Sequence, residues 1–81
     1  MSDSEAMTRQ RIEAAIIRAL GVVAPDASTP LRMGSTPGWD SMGHMAVVLE
    51  LEKEFQTRFA PYELPGLVDV ASIEKTLKIA R

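Results

Sequence analysis

The chain is 81 residues long, 46% hydrophobic and 25% charged, with a formal net charge of −2, four aromatic residues (Trp39, Phe55, Phe59, Tyr62) and no cysteine. That length gives one domain over residues 1–81 with one core, stable by about 4 to 12 kcal/mol at typical per-residue values and too small for a walled active-site cleft. The weak charge and sparse aromatics speak against nucleic acid as a partner, and the missing cysteines exclude disulfides, thiolate metal sites and thiol nucleophiles, so any thiol chemistry has to come from an attached group.

Met1–Met7 is polar and acidic where a secretory signal would be basic and then apolar, and no apolar stretch is long enough to span a bilayer. The expectation is a complete, cytoplasmic, monomeric chain. Ser2 and Glu5 fit a capping box, although residues 1–7 are polar enough to fray. From Thr8 onward Ile12, Ala15, Ile16, Ala19, Leu20 and Val23 recur at three- and four-residue steps, while Arg9, Glu13 and Arg18 are expected to face water. This predicts an amphipathic helix starting near Thr8 and stopping at Gly21. Val22 to Asp40 contains Pro25, Pro30, Pro37, Gly34 and Gly38 and excludes a regular helix. Leu31, Met33 and Trp39 supply apolar anchors that would hold it as a long ordered loop.

Ser41–Phe55 predicts a second helix. At 100° per residue Val47, Val48, Leu51 and Phe55 share one face, the expected core stripe, while Met42, Met45 and Leu49 fall on the other side. So small a domain cannot bury both faces, which leaves the methionine side as an exposed surface for partners. The alternative is that these methionines pack beneath the loop. Beyond Phe59 the run Pro61-Tyr62-Glu63-Leu64-Pro65-Gly66 allows at most a short helical turn. Asp69 then reads as the N-cap of a final helix, with Val70, Ile73, Leu77 and Ala80 on one side and Lys75, Lys78 and Arg81 toward its C-terminal end. The fold class expected is all-α: three longer helices and a short third one in a small four-helix bundle, with no internal repeat and no strand pattern.

The chemistry concentrates in Gly38-Trp39-Asp40-Ser41-Met42-Gly43-His44-Met45. Ser41 stands where the loop enters the helix, beside the backbone N–H groups and positive dipole end of a helix N-terminus, a favourable place for a phosphate ester. Taken alone, Ser41 is equally an ordinary N-cap, and Asp40 can fill that role instead. Trp39 reads as a loop anchor. His44, three residues after Ser41, can reach the same helix face, but Trp39 replaces the first glycine of a G-x-S-x-G elbow, and no orienting carboxylate or cleft is evident. No catalytic residue is therefore assigned, His44 is expected to pack near the loop, and its role is left open. One histidine with scattered carboxylates makes no metal site. Glu50, Glu52 and Glu54 read as a solvated helix edge able to steer a basic partner weakly.

The Asp40-Ser41-Met42 triplet, the loop before it, the four-helix pattern and the helix ending Leu51-Glu52-Lys53-Glu54-Phe55 together resemble the acyl carrier protein family over about the whole chain. The resemblance implies a 4′-phosphopantetheine arm on Ser41, with Asp40 read by the phosphopantetheinyl transferase that installs it. It further implies acyl or aminoacyl cargo held as a thioester, and loading and processing enzymes that dock on Met42, Met45 and Leu49. Such a chain is a carrier phosphoprotein and no enzyme. Fatty-acid carriers commonly bear acids two and five positions after the serine, where Gly43 and Ala46 stand here, and leucine where Met42 stands. These departures point to a specialised carrier of lipid or secondary-metabolite biosynthesis. The rival expectation is an unmodified helical module that uses the same methionine surface for docking alone.

Overall fold

A computed structural model describes residues 3–22 and 30–80, with side chains at residues 7–22 and 30–78. The sequence-based readings for Ser2, Glu5, Val23, Pro25 and the side chains of Ala80 and Arg81 lie outside these. Among the described residues the order is α1 (Asp3–Leu20), α2 (Ser41–Phe55), a 3-10 helix (Pro61–Gly66) and α3 (Val70–Ala80), so the fold is all-α. The described residues form no strand, only an isolated antiparallel bridge between Arg32 and Asp69, beside which the Met33 N–H donates to the Val68 carbonyl at 2.8 Å. Among the described residues no helix is long and apolar enough to cross a membrane.

The first helix starts earlier than periodicity suggested, at Asp3 instead of near Thr8. Its first turn carries no core stripe to reveal it, and periodicity detects only the stretch that packs. Gly21 ends it as expected, with φ +65° and its N–H donating to the Ile17 carbonyl at 2.9 Å. A left-handed residue at that point is cheapest as glycine. The 3-10 helix has Pro61 at its start and Pro65 within it, and Glu63 accepts the Ala60 N–H at 2.7 Å, which closes the entry turn.

One core joins all the elements. Ile12, Ala15 and Ile16 come from α1, Val47, Val48 and Leu51 from α2, Ile73 and Leu77 from α3, and Leu31, Trp39, Phe59 and Leu67 from the connections. Leu31 and Trp39 are the anchors expected of the loop, and Met33 is half-buried against the same cluster. Phe55 corrects the expected stripe: it lies half-buried at the margin, where the Arg11 guanidinium stacks 4.4 Å from its ring centroid, and His44 takes its place on the buried face of α2. A cation over an aromatic face is favourable but leaves that ring partly in water.

Arg9, Glu13 and Arg18 are exposed, as expected. Arg9 also pairs with Glu74 of α3 at 3.0 Å, and Glu74 is buried, with its second carboxylate oxygen lacking a partner. Arg11 and Arg18 reach across to α2, where they hold Glu54 and Glu50. Glu50 and Glu54 therefore line a seam between two helices, while Glu52 accepts the Phe59 N–H at 2.8 Å, so the run is partly buried where its spacing suggested a solvated edge. Exposed pairs of this kind contribute little to stability, because solvent screens them and two long side chains must be ordered.

Candidate functional site

The start of α2 is organised by Asp40. Its backbone is extended, and its carboxylate Oδ1 accepts the N–H groups of Met42 at 3.0 Å and Gly43 at 2.9 Å, while its carbonyl accepts the His44 N–H. Asp40 is thus the N-cap, which leaves Ser41 as the first helical residue, exposed, with no described residue hydrogen-bonding its hydroxyl. Here the expectation changes in one respect. The N–H groups of Met42 and Gly43 are already bonded to Asp40, so a phosphate on Ser41 would meet the helix dipole but not two unpaired donors.

Those same N–H groups, Gly43 foremost, hold the Asp40 carboxyl below its ordinary value of 3.8. A carboxylate with a depressed folded-state pKa stabilises the fold above the unfolded value, and that contribution disappears as pH falls through the folded one. The difference in urea midpoint between wild type and Asp40→Ala is therefore expected to be larger at about pH 7 than at about pH 2. An equal difference at both would show that the cap does not depend on ionised Asp40.

Behind Ser41 the last residues of the loop are held by a buried polar pair. Trp39 Nε1–H donates to His44 Nδ1 at 2.9 Å, with the two rings 21° from parallel. Indole only donates and a carbonyl only accepts, so the His44 proton sits on Nε2, which donates to the Leu64 carbonyl at 2.8 Å. One side chain thus ties loop, α2 and 3-10 helix together. His44 packs near the loop as expected, and with the Nδ1 lone pair given to Trp39 and Nε2–H to Leu64 it offers Ser41 no base. Trp39→Phe keeps most of the bulk but orphans Nδ1, and is expected to cost about 1 to 3 kcal/mol in urea unfolding. A smaller loss would mean that the site rehydrates.

Gly43 has a steric reason that periodicity does not reveal. A Cβ there would run into the Gly38 carbonyl oxygen, with that carbonyl carbon at 3.0 Å and Leu20 Cδ2 at 3.2 Å. Gly38 has φ +85°, so the loop turns its carbonyl onto the first turn of α2 in a conformation that suits glycine. In an ordinary helix Gly→Ala gains up to about 1 kcal/mol. Here Gly43→Ala is expected to lose about 1 to 3 kcal/mol by overpacking, measured by urea unfolding. A stabilised variant would show that the loop moves freely.

The remaining sequence-selected residues fall where the helical wheel put them. Met42 is 85% exposed, Met45 49% and Leu49 58%, so the methionine side of α2 does not pack under the loop. Tyr62, on the 3-10 helix, is also exposed and was not singled out by spacing, since irregular segments have no period to read. Buried Glu74 was missed for a related reason: its burial depends on Arg9, 65 positions away. A cavity of about 250 Å³ bounded by Arg11, Phe55, Glu74 and Leu77 opens at the far end of α2 from Ser41. Among the described residues no three His, Asp or Glu are grouped to hold a metal ion. Comparison with protein-family models, with curated proteins and with solved structures gives no significant match.

Proposed function

We propose that the chain is a carrier domain whose Ser41 bears a 4′-phosphopantetheine arm. The observation that carries this reading is an exposed hydroxyl at the first residue of α2, to which no described residue hydrogen-bonds, beside a cap made by Asp40 and a Trp39–His44 hydrogen bond. A phosphopantetheinyl transferase splits the pyrophosphate of coenzyme A: the Ser41 oxygen loses its proton and bonds to phosphorus, and adenosine bisphosphate leaves. The arm's thiol, which the cysteine-free chain lacks, then holds acyl or aminoacyl cargo as a thioester. Nothing described crowds Ser41, so the residues present fit a flexible arm anchored there.

In this reading the domain delivers. Tethering replaces a dilute substrate by one of high effective concentration at each docked enzyme. The four-helix bundle with an ordered connection between α1 and α2 belongs to the same reading, because a swinging arm needs a fixed base. The added phosphodiester gains from the helix dipole, about 0.3 to 1 kcal/mol in exposed cases, and is opposed by the adjacent Asp40 carboxylate. Gly43 supports a specialised carrier: the Gly38 carbonyl leaves no room for an acidic side chain two residues after Ser41.

The test is the intact mass after incubation with coenzyme A and a broad-specificity transferase. One added phosphopantetheine on Ser41 supports the proposal. No addition with several such transferases favours the unmodified docking module.

A further inference from the structure

We propose that the cleft where α1, the end of α2 and α3 meet binds a small, neutral, apolar molecule carrying one N–H or O–H donor, with the Glu74 carboxylate as its acceptor. The site lies at the far end of α2 from Ser41 and does not rest on the carrier reading.

The cavity there measures about 250 Å³, with Phe55 and Leu77 among its walls and Thr8, Arg11, Glu74 and Lys78 supplying polar groups. Drug-sized ligands usually occupy about 300 to 1,000 Å³, whereas an apolar cavity of about 150 Å³ already holds benzene. The space therefore suits one ring or two fused ones. Phe55 is half-buried and Leu77 is buried, which gives such a body an apolar wall to cover.

Glu74 decides the polar end. Its side chain is only 8% exposed, and Oε1 accepts from Arg9 Nε at 3.0 Å. Oε2 is buried with no hydrogen-bond partner, the one such side-chain oxygen among the described residues. A buried acceptor without a donor is costly, and a donor brought by a ligand removes that cost. The last torsion of a glutamate is soft, so this oxygen can adjust to a donor held inside the cavity.

Charge sets the remaining choice. Arg9 already balances Glu74, and Arg11 is spent on Glu54 at 2.7 Å and on the face of the Phe55 ring. A ligand cation would join Arg9, Arg11 and the exposed Lys78, and a ligand anion would face Glu74. Either would be desolvated beside like charge, so the fitting occupant is uncharged.

Indole and benzofuran have nearly the same shape, and only indole carries an N–H. Each is titrated into the full-length chain and followed by amide proton–nitrogen correlation spectra. Indole is expected to give saturable shifts centred on Thr8, Phe55, Glu74 and Leu77, with a Kd of about 0.1 to 10 mM for so few atoms. Benzofuran should bind about tenfold or more weakly, since it brings no donor to Glu74. In Glu74→Gln the amide nitrogen offers no acceptor, and the preference should shrink to about twofold or less. Thr8→Trp, which narrows the cavity from α1 without touching Glu74, should weaken indole about tenfold or more, and it keeps the test intact where losing the Arg9 pair loosens the first variant. Absence of saturable shifts, shifts centred on Met42, Met45 and Leu49 instead, equal binding of the two compounds, or indole binding unchanged in Thr8→Trp would each overturn the proposal. Arm attachment at Ser41 is read separately by mass, so either result leaves the other standing.

Discussion

Ser41→Ala is expected to abolish arm attachment completely while leaving the fold intact. With wild type gaining one phosphopantetheine in the presence of coenzyme A and a transferase, the variant should gain none, because no other hydroxyl among the described side chains stands at an exposed helix start next to a capping aspartate. The fold should survive because the cap belongs to Asp40, which receives the N–H groups of Met42 and Gly43, and nothing described bonds to the Ser41 hydroxyl. The cost in urea unfolding should stay within about 0.5 kcal/mol, as for an exposed residue without special contacts. Asp40→Ala, by contrast, should be measurably less stable through loss of its cap. Arm attachment persisting on Ser41→Ala would place the site elsewhere, and a loss as large as that of Asp40→Ala would mean that Ser41 shares the capping.

Leu51→Ala should destabilise the protein by about 2 to 5 kcal/mol, whereas Met45→Ala should cost well under about 1 kcal/mol. Both residues belong to α2, and helix propensity favours alanine slightly in each case, so the contrast isolates packing. Leu51 is fully buried between elements that contribute Ile12, Ile16 and Ile73, and truncating it opens a cavity in a core that has few other side chains to collapse into it. Met45 is half exposed and leaves water where its sulfur was. In a chain of this size the Leu51 loss is a large share of the total stability, so the variant should melt well below wild type. Equal losses at the two positions, by urea or thermal unfolding, would mean that α2 is rotated about its axis relative to the structure described here.

The elements legible from sequence are those in which local pattern and burial coincide. Ile12, Ala15 and Ile16 on α1, Val47, Val48 and Leu51 on α2, and Ile73 and Leu77 on α3 repeat at helical spacing because each helix buries one face. Gly21 and Asp69 mark helix ends through backbone needs that a few residue types meet locally, whereas only the structure chose Asp40 over Ser41 as the cap of α2. Asp69 accepts the Ser72 N–H at 2.8 Å, which pulls its carboxyl below the usual range. The exposure of Met42, Met45 and Leu49 followed from the same arithmetic, since a helix with two apolar faces in a one-core domain must leave one outside.

Tertiary structure decided whatever depended on partners distant in the chain. Glu50 and Glu54 look solvated from their spacing, and only the placement of α1 brings Arg11 and Arg18 against them. Glu74 is buried because Arg9 meets it, and Gly43 must lack a side chain because the loop lays the Gly38 carbonyl on the helix. His44, which sequence placed near the loop, acquires its tautomer and its two partners from Trp39 and from the carbonyl of Leu64, twenty residues on. A helical period records only which side of a segment faces the core. Which charge, ring or carbonyl waits on the other side is set by long-range packing, and that is why the start of α2 could be located from residues alone while the chemistry around it could not.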